Sequence, residues 1–332
     1  MEEILAGHGS GGRLMNDMID SVIKKILGPD SIQIDDSAVL QNIGERIAFT
    51  TDSYTITPLF FPGGNIGTLA VNGTVNDLAV MGAAPKYISC SLIIEEGLAL
   101  SELKEILKSM KLAADTAGVK VVTGDTKVVP KGGADRLYIN TAGIGVFEGP
   151  VLRNEIKPGD RIITSGTLGD HGITVMSLRN ELEFSSEVKS DCAALNIMIA
   201  DLSKNVGDKI KFVRDATRGG AASVLNEIVK GKDFSAVVYE EKIPVKDEVR
   251  GISDLLGLDP LYIANEGKVI LICDETVSEE VISIMHKYEE GKNTAVVGQI
   301  EENEKGKVLL ETFIGGRRIL PLLTEEQLPR IC

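Results

Sequence analysis

Aspartates recur in the first half of the chain inside short motifs: Asp35 and Asp36 in DDSAV, Asp52 in TTDSYT, Asp77 in VNDLAVMGA and Asp125 in GDTK. A single aspartate of this kind is a turn or cap residue, because its carboxylate bonds nearby backbone amides. Several of them, set where strands give way to loops, suit a hard cation that takes carboxylate oxygens and bridges phosphates. The pattern therefore predicts one magnesium–nucleotide site drawing on Asp36, Asp52, Asp77 and Asp125. Asn72 and Asn76 stand four apart on one predicted helix face, next to Asp77. Amides inside an otherwise apolar helix need partners, and a nucleotide with its metal provides them.

In RDATRGG, Asp215 and Arg218 precede a helix whose N-terminus is opened by Gly219 and Gly220, the arrangement of an anion site. Lys127 in GDTK and Glu266 in ANEGK are each read either as surface charge or as a site residue, and His171 in GTLGDHG as structural or catalytic. Cys90 and Cys273 sit in apolar runs and read as buried, inert thiols. Cys332 has no residue after it; it is either a frayed end or a group that swings between sites. The GHGSGG run at 7–12 matches G-x-G-x-x-G, but six residues before it are too few for the strand of a dinucleotide fold. It reads as a glycine loop reaching a phosphate or as a mobile terminus. No G-x-x-x-x-G-K-S/T run occurs, so a nucleotide site here is not a P-loop.

The elements that must position these residues alternate between strand and helix. Strands are predicted over 47–51, 87–94 and 136–147, the last as one or two. A helix over 66–82 ends at Gly82 with Pro85 as a stop signal. A second helix over 101–117 has Ser101 as N-cap, a stripe of Leu103, Ile106, Leu107, Met110 and Ala114, and Gly118 at its close. The Pro- and Gly-flanked segment 149–161 reads as a boundary. Beyond it come strands over 162–166, 211–215, 268–273 and 294–300, with helices after Gly220 and near 277–288. The expected organisation is two mixed α/β units, 1–150 for nucleotide binding and dimerisation and 151–312, then a mobile tail 313–332 carrying Cys332.

Acidic residues outnumber basic ones, 49 to 35, for a net charge of −14. Such a surface repels a phosphate backbone, and aromatics are sparse, so no nucleic acid partner is expected. No segment approaches the roughly 20 apolar residues that span a bilayer. The N-terminal MEEILAGHGS is acidic where a signal peptide is basic. The expected setting is the cytoplasm, with no membrane partner.

Taken in order, DDSAV, TTDSYT, GTVNDLAVMGA, GDTK, GTLGDHG, RDATRGG and ANEGK, with PRIC at the end, resemble the HypE family of hydrogenase maturation factors across nearly the whole chain. Most of these motifs are shared, in looser form, by the aminoimidazole ribonucleotide synthetase-like superfamily; the terminal PRIC is what singles out the family. The resemblance implies the two-domain α/β fold of that superfamily, a homodimer joined by its N-terminal sheets as a dimeric barrel, and ATP and Mg2+ near the interface. It implies ATP-dependent dehydration of an S-carboxamide on Cys332 to a thiocyanate, the cyanide source for the iron of nickel–iron hydrogenase. The carbamoyltransferase HypF would load the cysteine, and a HypC–HypD complex would accept the cyanide.

On this reading Asp36, Asp52, Asp77 and Asp125 hold magnesium, while Asn72, Asn76, Asp215, Arg218 and Gly219 join them around the nucleotide. Lys127 contacts phosphate or the activated oxygen. Glu266 is the first candidate for the base and His171 the second, since a carboxylate desolvated in a closed site gains basicity. A sister selenophosphate synthetase would want a cysteine or selenocysteine near the glycine loop, and the first 89 residues hold no Cys. A non-catalytic carrier displaying a group on Cys332 would hold ATP poorly.

Overall fold

The computed structural model describes residues 3–5, 18–27, 46–179, 188–322 and 331–332. In the first unit, β1 (Ile47–Tyr54), the two-residue pair β2 (Phe60–Phe61) and β3 (Gly64–Asn65), β4 (Ala83–Glu95), β5 (Lys120–Val129) and β6 (Leu137–Phe147) surround helices α2 (Ile66–Ala79) and α3 (Leu100–Ala117), with a short α1 (Lys24–Leu27) beside α3. The sheet runs β1-β6-β4-β5, parallel only between β4 and β5. Strand alternation fixes its two faces. Ile88, Cys90, Leu92 and Ile94 of β4 and Leu137 and Ile139 of β6 are buried beneath the helices, whereas Ile47 and Phe49 of β1 and Ile93 of β4 face outward. Phe49 is 68% exposed.

Helix α2 is buried all round, with only Thr68 and Asp77 of its fourteen residues outside the interior. Asn65 caps it, its side chain accepting from the amides of Gly67 and Thr68 at 2.9 and 3.2 Å. It packs on β1, β4 and β6 and on α3, and its other side meets the second unit. The α3 stripe is buried as expected and Gly118 closes the helix with φ 71°. Two boundaries differ from the sequence reading. Residue Ala99, not Ser101, occupies the N-cap of α3, without a side-chain bond. Pro85 lies inside β4, at a register shift between Pro85 and Tyr87, where a strand tolerates a missing N–H.

In the second unit, β7 (Arg161–Thr164), β8 (Ile210–Asp215), β9 (Ser235–Tyr239), β10 (Val269–Cys273), β11 (Ala295–Glu301), β12 (Val308–Glu311) and β13 (Arg317–Ile319) form one sheet in the order β13-β12-β9-β11-β7-β10-β8. It is antiparallel except between β9 and β12. Helices α4 (Asp170–Arg179), α5 (Asn196–Val206), α6 (Gly220–Val229), α7 (Asp247–Leu256) and α8 (Ser278–Met285) complete the unit. Strand β10, next to the edge strand β8, is buried on both faces: Ile270 and Ile272 pack with α6, and Val269, Leu271 and Cys273 pack with α5 and α8. Ala79 and Val80, at the end of α2, join that second cluster and tie the units together.

The tail starts later than expected. Arg317–Ile319 pair with β12, and Leu320 is fully buried with its amide on the Val308 carbonyl at 2.8 Å. Among the described residues, no helix is long and apolar enough to cross a membrane.

The outward apolar face of the first sheet is the kind of surface a second copy covers. On the expectation of a homodimer joined through this face, the parent chain should sediment as a dimer at micromolar concentration and Phe49→Asp as a monomer, with thermal unfolding of the isolated chain nearly unchanged.

Candidate active site

Between the two units, β1 and α2 meet the end of β8 and the loop leading into β10. On the inner face of β1, the Thr50 hydroxyl donates to Asp77 Oδ2 at 2.8 Å. Asp52 and Tyr54 follow on the same face by strand alternation. Across the seam stand Asp215, the last residue of β8, and Glu266. These carboxylates feel one another. Burial raises the Asp77 carboxyl, and Asp52 raises it further against the opposing pull of Thr50, Arg214 and Arg218. Burial and then the neighbouring Asp77 push Asp215 up to about 7. Glu266, 3% exposed, is held well above the usual carboxylate range by burial and then by Asp215, Asp191 and Asp52. Its Oε1 has no hydrogen-bond partner among the described residues.

The loop carrying Glu266 is held from behind by Asp191, whose two carboxylate oxygens accept from the amides of Glu266 and Gly267 at 3.3 and 3.1 Å. A Cβ at Gly267 would run into the Asp191 carbonyl, so that position needs glycine. Asn76 completes the brace: its amide donates to the Ala193 carbonyl at 2.9 Å and the Glu266 carbonyl at 3.5 Å, and its oxygen accepts from the Leu195 amide at 2.8 Å.

The end of the chain docks into the same seam. The Thr55 amide donates to the Cys332 carbonyl at 3.1 Å, one residue from Tyr54. Ile331 is buried, and its carbonyl accepts from His171 Nε2 at 2.9 Å. With Nε2 as donor, His171 Nδ1 accepts from the Ser190 hydroxyl at 2.8 Å, and Ser190 Oγ accepts from the Cys192 amide at 3.1 Å. Burial holds this imidazole below its ordinary pKa, against the pull of Ile331, so it is neutral.

Residues 34–147 match the family described as AIR synthase related protein, N-terminal domain, and residues 157–311 match its C-terminal domain. Carbamoyl dehydratase HypE of Rhizobium leguminosarum bv. viciae is 45% identical over 328 residues, 98% of this chain and 94% of the relative. The chain belongs to the HypE family. A crystal structure of the hydrogenase maturation protein HypE in complex with ATP superposes with a TM-score of 0.92 at 44% identity, covering 99% of each chain. The HypE chain of a HypE–HypF complex superposes with a TM-score of 0.80 at 43% identity, covering 94% of this chain and all of that one.

Against this HypE frame, the sequence-predicted residues divide into groups. Asp52, Asp77, Asp215, Arg218 and Glu266 act on one another electrostatically across the seam. Asp125 and Lys127 do not join them. They lie within β5, at the opposite sheet edge from β1, roughly 14 Å away at ordinary strand spacing. Register places them beside Ser91 and Ile93 on the outward face, where they pair with each other at 3.0 Å. Among the described residues, no three His, Cys, Asp or Glu side chains could hold a metal by themselves. The expected four-aspartate site is therefore not assembled within one chain; Asp36 lies outside the described residues.

Asn72 and Asn76 find protein partners rather than open space. Asn72 Nδ2 contacts Cys192 Sγ at 3.5 Å, and the Asn76 amide is fully engaged by the brace. His171 holds the tail through Nε2 and Ser190 through Nδ1, so both ring nitrogens are engaged. Gly219 caps α6 with φ 72°. Sequence reasoning missed Tyr54, Ser190 and Asp191. Tyr54 sits within the TTDSYT motif already singled out for its aspartate; Ser190 and Asp191 follow no pattern.

Two outcomes follow from this arrangement. Because Asp215 stays protonated up to about pH 7, a divalent cation must displace its proton. Magnesium-dependent nucleotide binding should therefore tighten as pH rises through that value, with proton release in calorimetry, and Asp215→Asn should flatten the dependence. His171→Phe removes the hydrogen bond to the Ile331 carbonyl that holds the tail. Modification of Cys332 by a thiol reagent should then accelerate about tenfold or more.

Proposed function

We propose that the protein is a carbamoyl dehydratase of hydrogenase maturation, converting an S-carboxamide on its own Cys332 to a thiocyanate at the expense of ATP. The observation that carries this reading is the docking of the terminal cysteine on Thr55, in the seam that also holds Glu266, a buried carboxylate with an unpartnered oxygen.

An amide oxygen is a poor leaving group, so dehydration needs that oxygen converted to phosphate. Its lone pair bonds the γ-phosphorus of ATP as the bond to the bridging oxygen breaks, releasing ADP. Loss of both N–H protons then forms the C≡N bond as the C–O bond breaks and phosphate departs. The balance is carboxamide plus ATP to thiocyanate, ADP, phosphate and one proton. Glu266 takes an N–H proton; its raised pKa, set first by burial, gives it the basicity to do so.

The crowding of Asp52, Asp77 and Asp215, which holds two of them above the ordinary carboxylate range, fits a cation in their midst. These three would hold magnesium, with phosphate and water completing its shell. The ion offsets charge that develops in phosphoryl transfer. Arg218, whose charge opposes that of Asp77 and Glu266, lies toward the phosphates, as does the N-terminus of α6 capped by Gly219. In a homodimer formed through the outward faces of the first sheets, as a dimeric barrel, Asp125 and Lys127 turn toward the partner subunit. They there serve the nucleotide of the other copy. A similar HypE chain has been solved with HypF, which supports loading of Cys332 by a carbamoyltransferase of that kind. A HypC–HypD complex is the acceptor on the same family reading.

The test uses the full chain with its terminal cysteine loaded. On adding magnesium and ATP, intact mass should fall by one water in the parent protein. Glu266→Gln should keep the carboxamide and still bind ATP, and Cys332→Ala should never acquire the group. Water loss at the parental rate from Glu266→Gln would overturn the assignment of the base.

A further inference from the structure

Among the described residues, the seam holds two fully enclosed polar atoms with no hydrogen-bond partner, one on β1 and one on the loop before β10. One is Glu266 Oε1; the other is the Tyr54 hydroxyl. Tyr54 is 1% exposed, and an orphaned buried hydroxyl costs about 1–3 kcal/mol relative to a satisfied one. The surroundings could have relieved it and do not. Thr74 is the hydrogen-bonding side chain nearest in effect to Tyr54, but it closes no hydrogen bond with it and shares its hydroxyl with Thr141 at 2.5 Å. Position 73 is glycine, and a Cβ there would strike the Tyr54 hydroxyl, so the α2 backbone is shaped to admit this oxygen. Tyr54 and Glu266 lie within electrostatic reach of each other but make no mutual hydrogen bond. A polar group held between them would satisfy both.

The chain itself supplies the candidate. Thr55, which binds the Cys332 carbonyl, is the neighbour of Tyr54, so a group on the Cys332 sulfur is carried to the foot of this gap. Resting on the carbamoyl dehydratase reading, we infer that the carboxamide nitrogen of loaded Cys332 sits between Tyr54 and Glu266. One N–H is given to the Tyr54 oxygen and the other to Glu266 Oε1. An NH2 group has two donors, and the seam offers two vacant acceptors. Tyr54 thereby becomes a catalytic residue in contact with substrate. It fixes the rotation of the amide so that one N–H points at the base and the amide oxygen points away from it, toward the phosphate-binding carboxylate side. The tyrosine's own proton turns toward Thr74, whose oxygen has a lone pair to accept it.

Tyr54→Phe keeps the ring and removes only the orphaned oxygen. Thermal unfolding of the unloaded variant should be unchanged or raised, since nothing that was bonded is lost. Loading of Cys332 and the dissociation constant for ATP should match the parent. Single-turnover loss of water from the loaded chain should slow about tenfold, the effect of one missing hydrogen bond to the reacting group. Gly73→Ala, which displaces the same hydroxyl, provides a second approach and should slow the step comparably. Parental dehydration rates in a folded Tyr54→Phe variant would overturn the inference, as would a lowered unfolding temperature that exposes a structural partner for the hydroxyl. These failures remain distinct from failure of the functional reading, because that reading predicts that Glu266→Gln stops water loss whatever Tyr54 does.

Discussion

Everything in the seam depends on a helix that has no solvent face. Helix α2 lies between the first sheet and the second unit, and burial leaves its polar side chains only protein or ligand as partners. Asn76 spends all of its amide on the segment 193–195 and the Glu266 carbonyl. One side chain thus sets the distance between the two units and the position of the candidate base. Gly73 of α2 serves the same end, since it allows β1, and Tyr54 with it, to approach the helix backbone closely.

The electrostatics of the seam run against the stability of the empty protein. Carboxylates are gathered where burial and mutual repulsion hold them above the ordinary carboxylate range, an arrangement a fold would ordinarily avoid. Such strain is relieved only by what binds there, so a site of this kind is selected for occupancy rather than for rest. The brace from Asp191 and Asn76 keeps the loop of Glu266 in place, and Thr50 holds Asp77.

Local patterns in the sequence carried much of this. The α3 stripe and its glycine close were legible because 3.6-residue periodicity and a left-handed cap are local signals. The aspartate motifs pointed to the seam, yet the face each side chain takes depends on register. Asp52 and Asp125 read alike in sequence; pairing of β5 with β4 turns Asp125 outward, on the far edge of the sheet. Asn72 and Asn76 read as ligand groups because the segment that satisfies them lies more than 115 residues away in sequence. Strand β9 passed unmarked for the opposite reason. SAVVY is apolar throughout, and a strand buried on both faces shows no alternation.

The docked end of the chain changes the kinetic character of the protein. Cys332 is joined to the sheet of the second unit by the twelve residues that follow Leu320, a tether that spans at most about 40 Å when extended. A group on that cysteine meets the seam at an effective concentration fixed by the length of the tether, whatever the dilution of the protein. On the proposed function, a carboxamide on Cys332 has no Michaelis constant of its own: its conversion is first order, each loading permits one turnover, and repeated catalysis is paced by loading and unloading of the thiol. Selectivity need not come from a pocket that recognises a small amide among competitors, because nothing else is tied to the site.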